Sequence, residues 1–166
     1  MQIELRSRKP IRLENFDYSQ NGAYFVTVCT KDRRKVLSNI VGEGFPLPKL
    51  LPYGKIVDDV IKEIPQKYNC VEIDKYIIMP DHVHLLISIT EIGGRGDPSP
   101  TIETVMGWFK YKATKKINQA TGNVGEKVFQ RSFFDHIIRN ENDYREIWEY
   151  IENNPANWKK DKFLDE

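Results

Sequence analysis

The chain is 166 residues long, with 40% hydrophobic and 30% charged residues and a formal net charge of +1 at pH 7. These values are typical of one globular domain, here residues 1–166, and they exclude a disordered chain, while total charge decides nothing about nucleic-acid binding. Because no apolar segment approaches the roughly 20 residues that span a bilayer, and the charged N-terminus lacks the apolar core of a signal peptide, we expect a cytoplasmic protein without a membrane partner.

The first third of the chain predicts strands followed by a helix. Aromatic and β-branched residues at 22–30 indicate a strand. Glycines and prolines interrupt residues 33–54, which favours one short strand and an irregular connection. Apolar residues at helical spacing then predict a helix over 52–68, which Pro65 closes or kinks.

The middle of the chain predicts a strand pair and a loop. Apolar and β-branched runs at 70–80 and 82–90 indicate two strands joined at Pro80 and Asp81. The glycine- and proline-rich segment 91–100 predicts a flexible loop.

The last third predicts two helices separated by an extended segment. Apolar spacing predicts a helix over 101–119, a loop follows, and residues 128–140 are interpreted as extended. Residues 140–154 predict the last helix, capped by Asn140. The element order β–(β)–α–β–β–α–β–α predicts an α+β fold, for which an antiparallel sheet with helices on one face would be the ferredoxin-like version.

The stretch MPDHVHLLI holds two of the three histidines of the chain, His82 and His84. Alternate residues of a strand point to the same side, so the two imidazoles should lie close together. From composition alone, a structural histidine pair and a metal-binding pair are about equally expected. The position beside Pro80 and Asp81, where regular strand pairing breaks, favours metal binding. Two ligands leave open coordination positions, which a catalytic ion needs.

Several other classes of histidine or cysteine site are excluded. The chain is shorter than the roughly 250 residues of a barrel amidohydrolase, and Leu86 stands where an HxHxH hydrolase has its third histidine. There is no HExxH or CxxC motif, and we interpret the isolated Cys29 and Cys70 as buried thiols. His136 is more often a hydrogen-bonded, partly buried histidine than a third ligand.

The last predicted helix carries Tyr150 and Asn154, four residues apart and so on one helical face. A tyrosine hydroxyl can act as a nucleophile towards a polarised electrophile, and an amide oxygen can bind a hard ion. By itself Tyr150 would more often be an ordinary amphipathic tyrosine, since the chain has eight.

Three stretches in this order, MPDHVHLLI, FFDHIIRNENDY and YIENNPANW, resemble one family, the HUH single-tyrosine transposases, which include the relatives associated with repetitive extragenic palindromes (REP). Residues 8–34 also resemble the opening of this group, so the similarity covers nearly the whole chain. A histidine–hydrophobic–histidine motif alone is a weak indicator of this family. Its combination with the YIxxNP and RNxxDY motifs is a strong one. The extra residues at 42–51 depart from the simplest members.

The resemblance implies a ferredoxin-like domain with the histidines on the exposed sheet face and the tyrosine helix beside them. It implies that His82 and His84 bind Mg²⁺ or Mn²⁺, that Asn154 is the third ligand, and that Tyr150 is the nucleophile. The reaction would be a metal-assisted transesterification of single-stranded DNA through a 5′-phosphotyrosine. A homodimer, and action of Tyr150 in cis or in trans, are left open.

Relatives in this family bind an imperfect DNA hairpin near the cut, so a hairpin-bearing single strand is the expected partner. Basic clusters at 31–35 and 110–116 supply the candidate contacts, although such runs are more often solvated faces. These candidates are Arg33, Arg34, Lys112, Lys115, Lys116 and Arg131. Tyr111 or Trp108 could stack on bases, Trp108 being more often a core residue. The alternative function is a domesticated, non-catalytic hairpin-binding module, against which the intact histidine pair and tyrosine argue.

Overall fold

The structure is a computed structural model that describes residues 22–42, 44–90 and 100–158. The predicted loop at 91–99 and the start of the family resemblance, residues 8–21, lie outside the described residues. The strands are β1 (Gly22–Cys29), β2 (Ser38–Val41), β3 (Leu47–Leu50), β4 (Val71–Ile78), β5 (His82–Ile89) and β6 (Phe134–Ile138). The helices are α1 (Pro52–Lys67), α2 (Ile102–Thr121) and α3 (Glu141–Glu152).

The main sheet has the strand order β4-β5-β1-β6, and each neighbouring pair is antiparallel. Without the β2–β3 hairpin, the elements follow the order β-α-β-β-α-β that defines the ferredoxin-like arrangement. The α+β prediction and its ferredoxin-like version are thereby confirmed. Strands β5 and β1 are the two central strands, so residues at the start of β5 lie at one end of a central strand.

Helices α1 and α2 cover one face of this sheet. They pack their apolar stripes, among them Val57, Ile61 and Phe109, on alternate strand residues such as Val26 and Leu85. Thr101 begins α2 by accepting a hydrogen bond from the backbone N–H of Thr104 at 3.1 Å.

Helix α3 covers the opposite face beside β5. Its buried Ile147 and Ile151 pack on Phe25 and Leu86, the residues whose side chains alternate away from the first core. The face that the resemblance described as exposed is therefore closed, and that expectation is wrong for this chain. His82 and His84 point to the same face and are 0% exposed.

The segment before α1 differs from its prediction. It holds two short strands, β2 and β3, which form a separate antiparallel hairpin rather than one strand and an irregular connection. Gly54 lets α1 approach this hairpin closely, because a Cβ there would lie 2.0 Å from the carbonyl oxygen of Leu37. Helix α1 also continues to Lys67, past Pro65. The extended interpretation of 128–140 holds as a strand only for β6.

Candidate active site

The histidine pair lies at the start of β5, where the strand pairs with β1. The ring centroids of His82 and His84 are 4.5 Å apart. Nδ1 of His82 is 2.7 Å from Oδ1 of Asp81, and Nδ1 of His84 is 2.8 Å from Oγ1 of Thr27. A partner on one ring nitrogen fixes the ring orientation and tautomer of a metal-binding histidine. Each imidazole would therefore use Nε2 to coordinate an ion.

Asp81 joins the histidine pair to the short 3-10 turn after β1 (Lys31–Arg33). Its second carboxylate oxygen accepts a hydrogen bond from Nε of Arg33 at 3.1 Å. Burial of Asp81 opposes ionisation, but the hydrogen bond and charge of His82, helped by Arg33, outweigh it and hold the pKa of Asp81 below its usual value. Arg33, predicted as a DNA contact, thus binds the carboxylate that orients His82.

The backbone of this turn is strained. Asp32 and Arg33 have φ angles of +57° and +52°, the left-handed region that costs side-chain-bearing residues on the order of 1 kcal/mol each. The turn is held by backbone hydrogen bonds, from Thr30 N to Asp81 O at 2.9 Å and from Lys31 N to Val128 O at 2.8 Å. These bonds keep the arginine next to Asp81 against the local strain.

Tyr150 reaches the pair from α3 of the same chain. Its ring centroid is 5.5 Å from that of His84, and it meets the Phe25 ring edge-on at 5.8 Å. The hydroxyl oxygen is buried beneath the helix. Tyr150 and the histidine pair therefore lie together within one chain.

Asn154, the predicted third ligand, lies in the turn that follows α3. The helix ends at Glu152, so the predicted helical spacing from Tyr150 is continued by the turn rather than by the helix. Asn154 is 2% exposed, and no donor among the described residues reaches its buried Oδ1. A buried amide oxygen without a hydrogen bond is costly, and a cation would satisfy it.

The donor set fits a divalent ion with open coordination positions. The described residues contain no group of three or more His, Cys, Asp or Glu side chains that could hold a metal, so a closed structural zinc site is not formed by them. Two imidazoles and one amide oxygen are ligands that Mn²⁺ and Mg²⁺ accept while retaining positions for water or substrate oxygens.

Trp158 packs against His82 of the histidine pair. Its ring stacks on His82 with a centroid distance of 5.9 Å and an interplanar angle of 26°. Nζ of Lys35 lies 6.0 Å from the Trp158 ring centroid. Neither contact was predicted from the sequence, because only the turn after α3 brings Trp158 back to β5.

Polar contacts anchor the first turn of α3. Asp143 accepts from His136 Nε2 at 2.9 Å, and its own N–H donates to the capping Asn140 at 2.8 Å. Tyr144 donates to Asp74 on β4 at 2.7 Å. These contacts fix the helix that carries Tyr150, and they give His136 a carboxylate partner on α3.

The predicted DNA contacts divide into three groups. Arg33 supports His82, and Lys116 donates to Glu63 on α1 at 2.5 Å. Lys112 is half-buried and Arg34 is exposed, with Nη2 donating to the carbonyl oxygen of Lys127 at 3.3 Å. Lys115 and Arg131 are exposed and line a common cavity between α2 and residues 127–131.

The sequence matches a model of the family described as IS200-like transposases over residues 18–154. The chain belongs to the IS200-like transposase family. The resemblance to single-tyrosine transposases is thereby confirmed. No helix in the described ranges is long and apolar enough to cross a membrane.

Two bacterial proteins are similar to the chain over most of its length. The chain is 31% identical to an uncharacterized protein of Haemophilus influenzae over 174 residues, covering 95% of this chain and 93% of that protein. It is 28% identical to a REP-associated tyrosine transposase of Escherichia coli K12 over 139 residues, covering 84% of this chain and 69% of the relative.

The fold is also that of a solved transposase. A REP-associated tyrosine transposase bound to a REP hairpin superposes with a TM-score of 0.58 at 21% identity, covering 87% of this chain and 73% of that one. At this identity the similarity concerns the fold, and the roles of individual residues have to be argued from the site itself.

Proposed function

We propose that this IS200-like transposase is a metal-dependent endonuclease and strand transferase for single-stranded, hairpin-bearing DNA. In this proposal Tyr150 is the nucleophile, and His82, His84 and Asn154 bind Mg²⁺ or Mn²⁺. The convergence of His82, His84 and Tyr150 at one end of β5, from positions up to 68 residues apart, is the observation that carries the proposal. The buried amide oxygen of Asn154, in the turn after α3, supports it.

The reaction is a transesterification at one phosphodiester. The phenolic oxygen of Tyr150 forms a bond to phosphorus and loses its proton to water, while the bond from phosphorus to the 3′ oxygen breaks and that oxygen takes up a proton. The products are a 5′-phosphotyrosine on the protein and a free 3′-hydroxyl. Because one phosphodiester replaces another, a 3′-hydroxyl can attack the phosphotyrosine and rejoin a strand.

A bound divalent ion would supply Lewis-acid polarisation of the phosphate and offset its developing negative charge. The protein side chains hold the geometry for this step. Asp81 and Thr27 orient the two imidazoles, and the packing of Phe25 against the Tyr150 ring holds the phenol beside His84.

The hairpin part of the proposal is supported by relatives. The Escherichia coli protein is named as REP-associated, and the solved transposase holds a REP hairpin. Exposed cations of this chain, Arg34, Lys115 and Arg131, offer contacts to a DNA backbone. A homodimer and a cytoplasmic location stay predictions, and the proposed site takes all four groups from one chain.

The test is formation of a covalent protein–DNA adduct. A 5′- and 3′-labelled single-stranded hairpin incubated with Mn²⁺ or Mg²⁺ should give an adduct that survives denaturing electrophoresis and disappears with EDTA. Tyr150→Phe should form none, whereas Tyr53→Phe, a matched loss of one hydroxyl on α1, should form it normally. An adduct from Tyr150→Phe would assign the nucleophile elsewhere.

The same assay separates the enzyme from the alternative, a hairpin-binding module without catalysis. Complete burial of the histidine pair is the one feature that favours a pure binder, since a phosphate must displace part of its cover. Tight hairpin binding without any adduct, across Mg²⁺, Mn²⁺ and other divalent ions, would establish the binder and reject the endonuclease.

A further inference from the structure

A second concave site lies outside the proposed active site, between α2 and residues 127–131. Its cavity volume is about 640 Å³, within the range of sites that bind small molecules or single groups of a polymer. The lining includes the apolar side chains of Val128 and Phe129, which belong to the core behind it. Tyr111 also lines it and is 64% exposed. The cavity therefore combines an apolar lining with an available aromatic ring.

The charge of this cavity is strongly one-sided. Of the described residues that line it, five are basic and none is acidic: Lys31, Lys110, Lys115, Lys127 and Arg131. Lys110 forms part of the wall, because its Nζ donates to the carbonyl oxygens of Gln130 at 3.1 Å and Arg131 at 2.5 Å. Such a concentration of one sign attracts a polyanion.

An aromatic ring among cations is the arrangement that single-stranded nucleic acid uses. Nζ of Lys115 lies 5.9 Å from the Tyr111 ring centroid, so a positive charge and a stacking surface are adjacent. Bases stack on such rings while lysine and arginine contact the flanking phosphates. A base inside a double helix is already stacked on both faces and cannot stack on Tyr111. A lone phosphate would make no favourable contact with the ring or the apolar lining.

The cavity also lies at the same end of the sheet as the histidine pair. Phe129 forms a β-bridge with Thr30, and Gln130 donates its N–H to Cys29 O at 2.9 Å. Cys29 is in turn the partner of His82 across β1 and β5. Two strand spacings, roughly 10 Å, therefore separate the backbone beside the cavity from β5. Arg34, which bonds to Lys127 O, adds a cation on this edge.

We propose that this cavity binds an unpaired nucleotide of the DNA strand that enters the active site. Its base stacks against Tyr111 and the apolar lining, and its flanking phosphates contact Lys31, Lys115 and Arg131. The inference rests on the proposed function in taking the nucleic acid to be DNA. It adds a base-contacting position, set apart from the cleavage site, that helps to fix the distance between the bound strand and Tyr150.

Abasic scanning tests the base contact. Hairpin DNA with unpaired flanks carries one abasic site at each unpaired position in turn, and fluorescence anisotropy in EDTA gives Kd without cleavage. At one position, or two adjacent ones, base removal should weaken binding to the native protein by about tenfold and should not weaken Tyr111→Ala further. Phe45→Ala, which removes an aromatic ring that is 93% exposed on the β2–β3 hairpin, should respond as the native protein does.

A salt titration tests the phosphate contacts. Lys115→Ala and Arg131→Ala should each lower the slope of log Kd against log salt concentration by about 0.7. Lys55→Ala is the matched control, since it removes an exposed lysine from the other sheet-covering helix, α1, and should leave the slope unchanged. Equal slopes for Lys55→Ala and Lys115→Ala would reject the cavity as a phosphate-contacting site.

The outcome for the cavity is separable from the outcome for catalysis. If the native protein forms the Tyr150 adduct but Tyr111→Ala and native protein respond alike at every abasic position, the cavity inference fails and the proposed enzyme stands. If one position couples to Tyr111 while no divalent ion yields an adduct, the nucleotide site stands and the endonuclease fails.

Discussion

The two faces of the main sheet carry different kinds of side chain, although β5 contributes to both. Towards α1 and α2 it presents Val83, Leu85, Ile87 and Ile89, all part of one large aliphatic core. Towards α3 it presents His82 and His84 before Leu86, and the buried apolar cluster there is much smaller. The first face needs only volume and hydrophobicity, whereas every polar group on the second face needs a specific partner.

In this fold the face covered by α1 and α2 mainly provides stability, and the face covered by α3 can hold a polar site. A ferredoxin-like sheet whose first face is fully covered by two helices can place polar side chains on the second face and still fold. The cost of burying those side chains is then offset by local hydrogen bonds, such as those between Asp81 and His82 and between Thr27 and His84. Substitutions on the two faces should consequently have different readouts.

The largest effect should come from the histidine pair. His82→Ala and His84→Ala each remove a proposed metal ligand, so adduct formation should fall by more than about 100-fold, a loss larger than that for outer-shell partners. Hairpin binding in EDTA should stay within about twofold of native, because phosphate contacts lie elsewhere. The corresponding glutamine variants keep a polar group if alanine destabilises the fold. Native levels of cleavage by either alanine variant would reject the metal site.

The opposite face should respond in stability rather than in chemistry. Leu85→Ala removes a fully buried side chain that points to α1 and α2, which should lower the free energy of unfolding by about 2–5 kcal/mol. Urea denaturation followed by circular dichroism measures the loss. At a temperature where the variant is folded, its adduct yield should be close to native. A large activity loss in fully folded Leu85→Ala protein would show that the two faces are not functionally separate.

The next effect concerns the partner of His82. Asp81→Asn keeps the shape of the side chain but removes the charge that bonds His82 and Arg33, so metal affinity and adduct formation should fall by about 10- to 100-fold. Titration with Mn²⁺, followed by the adduct yield, distinguishes weaker metal binding from a slower reaction. Lys62→Ala is a control, since it breaks a surface ion pair with Asp58 on α1. If Asp81→Asn needed no more Mn²⁺ than native protein, Asp81 would have no positioning role.

Local sequence patterns predicted most of this fold and the identities at the site. Runs of aromatic, apolar and β-branched residues located β1, β4 and β5, and helical spacing located all three helices. The HxH and YIxxNP motifs selected His82, His84 and Tyr150, whose rings do lie together. These features depend on neighbours within a few positions, which a single sequence displays. The predicted last helix was too long at its C-terminus, because α3 ends at Glu152 and Asn154 lies in the turn that follows.

The sequence did not predict the contacts between segments that are distant along the chain. Thr27 meets His84 only because of the register between β1 and β5, and Lys116 finds Glu63 across 53 positions. Strand β3 contains Pro48, which disfavours a strand but is tolerated in a two-stranded hairpin, where each strand is an edge. Asp81 could have been chosen from sequence, since it precedes His82 directly, but its bond to Arg33 depends on a strained turn.

The smallest predicted effect concerns the contact between α3 and β4. Tyr144 donates to Asp74, and burial, together with the bond and charge of Asp74, raises the pKa of Tyr144 to about 12. The native state thus holds the phenolic proton more tightly than the unfolded chain. The stabilisation is complete below pH 10, the usual tyrosine pKa, and is lost as pH rises towards 12. Tyr144→Phe should therefore unfold more easily than native protein at pH 7, by about 1 kcal/mol.

The gap between native protein and Tyr144→Phe should close between pH 10 and pH 12, as measured by urea unfolding at several pH values. Other groups that titrate in this range, such as Tyr76, are common to both proteins and cancel in the difference. No gap at pH 7 would mean that Tyr144 contributes through packing of its ring with Trp148, which phenylalanine retains, rather than through its bond to Asp74. The face that carries the proposed nucleophile would then depend on apolar contacts here, and its difference from the α1–α2 face would be confined to the histidine end of β5.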